Sequence, residues 1–403
     1  MHTLHGTFIR ECIVTHVIDG KTLRVLLNPD TGQQRSASGN GWESSLVVGS
    51  EPVPRALNPD QLETTQDDPS TWERVDVRLI YVDTEEWNDP KKEDVAYKPV
   101  TPAGEEAFEY LKKRLGAGSD GRCANVVVDL EFDSLEYMTS ISRARETSMD
   151  KYGRVLAYVY QNGVNVNVDV TLAGQSAYFT KYGRSRLYHG EFQLAEKLAQ
   201  ENLRGIWDPA RASLWSFGML EYTRDYRRLI TWWKMRELFV EDWRHWKHLG
   251  IVDHILDPRD FCDYKKIVAA AHARERRTIL LDLQPTMANL FDGVMQLVRY
   301  SSGQGMVIFG GSKRFPFNLW MDDANSTESG RVQTLLHSRY ANHRRNYCFV
   351  TGNLFVFHTK QRPQMLIESC EQISDFPLRP DEMSQRLREH HRSRDQVIKS
   401  SAA

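Results

Sequence analysis

The sequence predicts a mixed α+β chain: a small strand barrel carrying helices, a helical stretch, and a second strand-rich barrel. Three observations predict it. Short β-branched runs separated by turn residues fill residues 1–207 and 281–376. Residues 208–280 instead place aromatic and apolar residues at helical spacing. At 403 residues, with 40% hydrophobic and 26% charged side chains, the chain has room for two or three ordinary globular domains.

Composition narrows the function classes. No run of about 18 apolar residues is present, so no membrane span and no membrane partner are expected. The start, "MHTLHGTFIRECIV", lacks a basic segment followed by an apolar one, which predicts no signal peptide and a cytoplasmic protein. The five cysteines are odd in number and none sits in a CxxC pair, which argues against a disulfide framework and a zinc site. Formal net charge is -2, so any affinity for nucleic acid must come from local basic patches. No sequence feature sets an oligomeric state.

The first strands read as "TFIRECIVTHVI" and "KTLRVLL" around an Asp19–Gly20 turn, then "RVDVRLIYV". Residues 28–72, rich in Pro, Gly, Ser, Asn and Asp, read as a long inserted loop that could cover a site. "TPAGEEAFEYLKKRL" reads as a helix. Thr101 suits its N-cap, Pro102 its first turn, and acids follow where the helix dipole favours them. Its apolar face is Phe108, Leu111 and Leu115. "NVVVDLEF" and "GRVLAYVYQNGVNV" read as strands, and helices follow near 167–174 and 189–204, with Gly174 and Gly205 as stops.

In the helical connector 208–280, Tyr222, Tyr226, Leu229 and Trp233 form one stripe and Trp232, Phe239, Trp243 and Trp246 another. Burial preferences favour a packed core over base stacking. Region 281–376 gives three strands, a helix over "GRVQTLLHSRYANHRR", then two strands, the layout of an OB barrel. The basic tail 377–403 reads as a frayed helix or disordered.

Two segments carry the chemistry. In "VRLIYVDTEEW", a strand bearing Arg78 ends in Asp83-Thr84-Glu85-Glu86, an oxygen-rich cluster suited to a hard cation. In "DKYGRVLAYVY", Arg154 follows a Lys151-Tyr152-Gly153 turn and opens a strand. Alone, an acidic run of this kind is usually a solvated turn, and a lone arginine after a glycine turn is more often still a surface residue.

"VIDGKTLRV", "VRLIYVDTEE", "TPAGEEAFEYLKKRL", "DKYGRVLAYVY", "AYFTKYG" and "AEKLAQENLRGIW" occur in one order, and over residues 7–207 the chain resembles the staphylococcal nuclease-like (thermonuclease) family. The resemblance implies a five-stranded OB barrel with helices. It also implies Ca²⁺-dependent cleavage of DNA and RNA phosphodiesters, leaving 5′-hydroxyl and 3′-phosphate ends. By motif it implies Arg78 and Arg154 as catalytic arginines. It implies Asp19, Asp83, the Thr84 carbonyl and Glu86 around the metal, with Glu86 orienting or deprotonating the attacking water. Lys151, Tyr152 and Tyr178 would meet the nucleotide. The family pattern "DGDT" is here Asp19-Gly20-Lys21-Thr22, so a cation stands where the family has a metal-binding acid. "TPE" is here Thr84-Glu85-Glu86, where Glu85 could return the missing charge, though from a different direction. A second pocket tyrosine is Thr180, with Tyr182 its near substitute.

The C-terminal strands resemble nucleic-acid-binding OB domains. Lys313, Arg314, Phe315, Arg344, Arg345 and Tyr347 are candidate contacts, mixing charge with aromatic faces for single strands. The leading expectation is a nuclease whose OB domain presents nucleic acid. The alternatives are a nucleic-acid-binding scaffold without catalysis, in which Lys21 contacts a phosphate, and a protein-interaction module.

Overall fold

The computed structural model describes residues 6–28, 72–87, 100–133, 144–145, 147–150, 153–214, 222–282, 295–300, 303–309, 315–340, 347–357, 362–377 and 384–389. Residues 29–71 of the expected loop and most of the basic tail lie outside these. So do Lys151, Tyr152, Lys313, Arg314, Arg344 and Arg345. The chain divides into two units, 1–92 with 98–233, and 93–97 with 234–403.

The first unit is built on strands β1 (Thr7–Asp19), β2 (Thr22–Leu27), β3 (Glu73–Leu79), β4 (Arg122–Phe132), β5 (Val155–Gln161) and β6 (Val164–Asn165). Their order is β3-β2-β1-β4-β5-β6, and β3 also pairs with β5 in parallel, so five strands close on themselves. Alternation along the strands turns Val14, Leu23, Val25, Val77, Leu79, Leu130 and Ala157 inward. Helix α1 (Pro102–Leu115) covers that interior with Phe108, Leu111 and Leu115, the face read from the sequence. Thr101 has the extended N-cap backbone, yet its side chain makes no cap bond. Its N–H instead donates to Glu86 O at 3.1 Å. Helices α2 (Val166–Leu172) and α3 (His189–Glu201) complete the unit. Tyr222, Tyr226 and Trp233 are buried against Ala103, Ala177 and Ile206, so this aromatic stripe is core.

Helix α4 (Tyr226–His248) contains the boundary between the units. In the second unit, helix α5 (Phe261–His272) precedes strand β8. The strands are β7 (Ile255–Leu256), β8 (Arg276–Asp282), β9 (Met295–Tyr300), β10 (Gly303–Phe309), β11 (Asn318–Met321), β12 (Tyr347–Phe357), β13 (Arg362–Leu366) and β14 (Ile373–Ser374), with helix α6 (Thr327–Leu335) between β11 and β12. Three strands, a helix and two strands follow in the expected order. The connector is less helical than expected, since β7 and the start of β8 fall inside it. The sheet path is β7-β8-β12-β13-β11-β10-β9, with β14 on β12. Among the described residues this path does not close into the second barrel expected. Strand β12 changes partner along its length: residues 347–353 pair with β8 and 354–357 with β13. No described helix is long and apolar enough to cross a membrane.

Candidate active site

The segment that carries the acids leaves the sheet at the end of β3. Tyr81 there adopts a left-handed backbone, φ 62°, which is strained for a non-glycine residue. Its neighbours hold it. Buried Asn167 donates to Ile80 O and Ala157 O, both at 3.0 Å, and accepts from Val159 N at 2.9 Å. The Tyr81 hydroxyl donates to Asp133 Oδ2 at 2.5 Å and lies 2.9 Å from Arg184 O. Beyond it, Asp83 N donates to Ser176 Oγ at 2.9 Å and the Tyr226 hydroxyl donates to Asp83 O at 3.2 Å. The Asp83 backbone is thereby held at both its N–H and its carbonyl.

Two glycines let neighbouring elements close on this segment. A Cβ on Gly20 would lie 2.9 Å from Thr84 Oγ1, and one on Gly104 of α1 would lie 2.0 Å from Glu86 O. The β1–β2 turn and α1 therefore both touch residues 84–86.

Charges then interleave. Lys21 is buried, 4% exposed. Asp19 Oδ1 accepts its backbone N–H at 2.8 Å, and Lys21 O accepts from Leu79 N at 2.8 Å. Its Nζ donates to Thr84 O at 3.2 Å and to Glu86 Oε1 at 2.7 Å. Arg78 donates Nη2 to Asp83 Oδ1 at 3.0 Å and to Val82 O at 3.1 Å. Arg154 donates Nε to Asp150 Oδ2 at 2.8 Å and Nη1 to Thr22 Oγ1 at 3.3 Å. Thr22 is the cross-strand partner of Arg78, so both arginines adjoin Thr22. Arg224 donates Nε to Glu85 Oε1 at 2.7 Å and lies 3.6 Å from Asp83 Oδ2. Burial works against the Arg224 charge, but Tyr226, Asp83 and Glu85 together hold its pKa above the ordinary value.

Ca²⁺ takes about six to eight oxygen ligands. Here Asp19 caps its own turn, Asp83 faces two guanidinium groups, and Thr84 O and Glu86 bind an ammonium. Among the described residues no three His, Cys, Asp or Glu side chains converge as a metal site. The residues present do not fit the Ca²⁺ expected from Asp19, Asp83, Thr84 and Glu86. Glu85 does not return the missing charge to a metal either; it answers Arg224.

Tyr178 is also corrected. It is 4% exposed, its ring is stacked on Phe192 with centroids 4.8 Å apart, and its hydroxyl meets His189 Nδ1 at 3.0 Å. Its face is therefore core and closed to a nucleotide. Thr180 is buried, whereas Tyr182 is 41% exposed and meets Phe179 edge-on at 5.6 Å. The Arg78 guanidinium lies 5.9 Å from that Phe179 ring. In the second unit Phe315 is half-buried beside Tyr264, and Tyr347 is buried and stacked on Phe239. Tyr347 thus offers no free face.

Sequence reasoning missed Arg224, Asn167 and Ser176. The one signal for Arg224 was the surplus acid in the 83–86 run, which needs a counter-charge once buried. Asn167 and Ser176 act through backbone groups, which leave no trace in a residue pattern.

Residues 76–209 match the family model described as Staphylococcal nuclease homologue. The match includes Arg78, Asp83, Glu86 and Arg154 and starts after the hairpin that bears Asp19 and Lys21. A Bacillus anthracis protein described as uncharacterized is 34% identical over 134 residues, 32% of this chain and 50% of that protein. Endonuclease YncB of Bacillus subtilis (strain 168) is 30% identical over 131 residues, 32% of this chain and 50% of its own. The Thermonuclease of Staphylococcus intermedius is 35% identical over 133 residues, 33% of this chain and 62% of its own. The chain spans about half the length of the first two of these curated relatives.

Proposed function

Because the chain carries a staphylococcal nuclease-like domain, we propose that it is a nuclease that hydrolyses phosphodiester bonds of DNA, RNA or both. The observation that carries this reading is that Arg78 stands opposite Thr22 across β2 and β3 while Arg154 donates to Thr22 Oγ1, with Lys21, next to Thr22 in the chain, paired to Glu86. Phosphodiester hydrolysis builds negative charge on the non-bridging oxygens, and two guanidinium groups neutralise it with fixed, permanently charged donors. Glu86 accepts a proton from the attacking water. The new P–O bond forms as the P–O5′ bond breaks, and the leaving oxygen takes its proton from solvent, giving 3′-phosphate and 5′-hydroxyl ends. In this reading the second unit binds the nucleic acid as an OB-like domain, using the basic residues Lys313, Arg314, Arg344 and Arg345 on single strands.

One observation favours a second reading. Arg78, Arg154 and Lys21 already have carboxylate partners, Asp83, Asp150 and Glu86. A site balanced in this way also suits a scaffold that binds nucleic acid without cutting it. The test is a cleavage assay on single- and double-stranded DNA and RNA, with Arg78→Ala, Arg154→Ala and Glu86→Gln. Each substitution is expected to lower kcat by about 10²-fold or more. Intact substrate throughout, with salt-sensitive binding, would establish the scaffold instead.

A further inference from the structure

Each acceptor that the resemblance would give to a divalent cation meets a donor of this chain, and the donor at the centre is Lys21. Its ammonium is anchored from both ends. The backbone is fixed by Asp19 Oδ1 on its N–H and by Leu79 N on its carbonyl, both at 2.8 Å. The Nζ is fixed by Thr84 O and Glu86 Oε1. The side chains of the pair are 5% and 21% exposed, so the contact is shielded from solvent.

We infer that the Lys21 ammonium is the resident cation of this site, and that nucleic acid is bound and cut there without a divalent ion. This rests on the nuclease reading above. An ammonium has three donors, and Thr84 O and Glu86 take two of them. A divalent ion placed at the same carbonyl and carboxylate would lie within a few ångströms of a fixed like charge in a shielded setting, where repulsion is strong. The ammonium neutralises charge but does not acidify a water, so the proton of the nucleophile falls to Glu86 alone.

The test separates metal binding from turnover. Purified full-length chain is titrated with CaCl₂ by calorimetry, beside Lys21→Asp. The wild type is expected to give no saturable heat in the millimolar range. Lys21→Asp, which restores an acid and removes the repulsion, is expected to bind Ca²⁺ at least about tenfold more tightly. Circular dichroism checks that the variant is folded. If Lys21→Asp does not fold, Lys21→Asn takes its place, with the same acceptors released and tighter Ca²⁺ binding again expected. Saturable Ca²⁺ binding by the wild type, as tight as by the folded variant, overturns the inference. Anisotropy of a labelled single-stranded oligonucleotide, with Ca²⁺ and with EDTA, gives the second readout. Equal affinity in both supports the inference, and loss in EDTA overturns it. Where cutting occurs, it is expected to persist in EDTA. Absence of cutting under every condition would remove the nuclease reading, while the calorimetry would still decide whether Lys21 holds the cation position.

Discussion

Arg224 Nε donates to Glu85 Oε1 at 2.7 Å, and Glu85 is 1% exposed. The acid that makes the 83–86 run unusual is thus met by a guanidinium nearly 140 residues on, from the segment just before α4. A buried carboxylate left unpaired is far more costly than the same pair is favourable. Arg224→Met is therefore expected to lower unfolding free energy by about 3 kcal/mol, discounted little because Glu85 has no access to water. In a Glu85→Gln background the same substitution should cost about 1 kcal/mol or less. Urea unfolding of the four proteins measures the coupling, and additivity would dissolve the pair.

Asn167 joins the end of β3 to β5 through three backbone bonds, and it is fully buried. Asn167→Leu keeps the approximate volume and leaves Ile80 O and Val159 N–H unsatisfied, while Ala157 O keeps the bond from Ile80 N. Each such group costs about 1–3 kcal/mol. A loss of about 3 kcal/mol is expected, with hydrogen exchange accelerating first at Ile80 and Val159. If cleavage is measurable, kcat should also fall, because the left-handed Tyr81 that aims residues 82–86 loses its neighbour.

The approach of α1 to the acidic segment requires Gly104, since any Cβ would overlap Glu86 O. Gly104→Ala places a methyl where backbone stands and cannot be relieved by a rotamer change. The helix or residues 86–87 must shift, at about 1–3 kcal/mol. Helix propensity alone predicts the opposite sign, by about 1 kcal/mol. A melting temperature below that of wild type decides for the contact, and one above it decides for propensity.

What was legible in the sequence follows a physical divide. Periodicity and turn chemistry report local backbone choice and burial, so β1–β5, the α1 face and the Tyr222–Tyr226–Trp233 stripe were readable. The motif residues Arg78, Asp83, Glu86 and Arg154 were readable as a set of positions, all of which fall within the family match. What each charge pairs with was not, because an ion pair is decided by which loops meet. Lys21 was visible as an oddity, yet its hold on Thr84 O and Glu86 depends on Gly20 and Gly104 admitting the turn and helix to the same segment. Tyr178 and Tyr182, both expected beside the nucleotide, differ in burial for a similar reason. Both are aromatic residues near one motif, and only the packing of α3 buries the first.

That difference gives the last prediction. Tyr182 is the exposed ring, adjoining Phe179 and through it Arg78. A base stacked on it would gain about 1–3 kcal/mol. Tyr182→Ala is expected to raise KM, or the Kd for a single strand, by about tenfold with kcat nearly unchanged, the signature of binding lost equally from ground and transition states. Tyr178→Phe should do the reverse. It removes a hydroxyl that accepts from Ser185 N at 2.8 Å and meets His189. That loss should cost about 1 kcal/mol of stability and leave KM alone. A KM effect confined to Tyr178 would return that residue to the nucleotide pocket and remove Tyr182 from it.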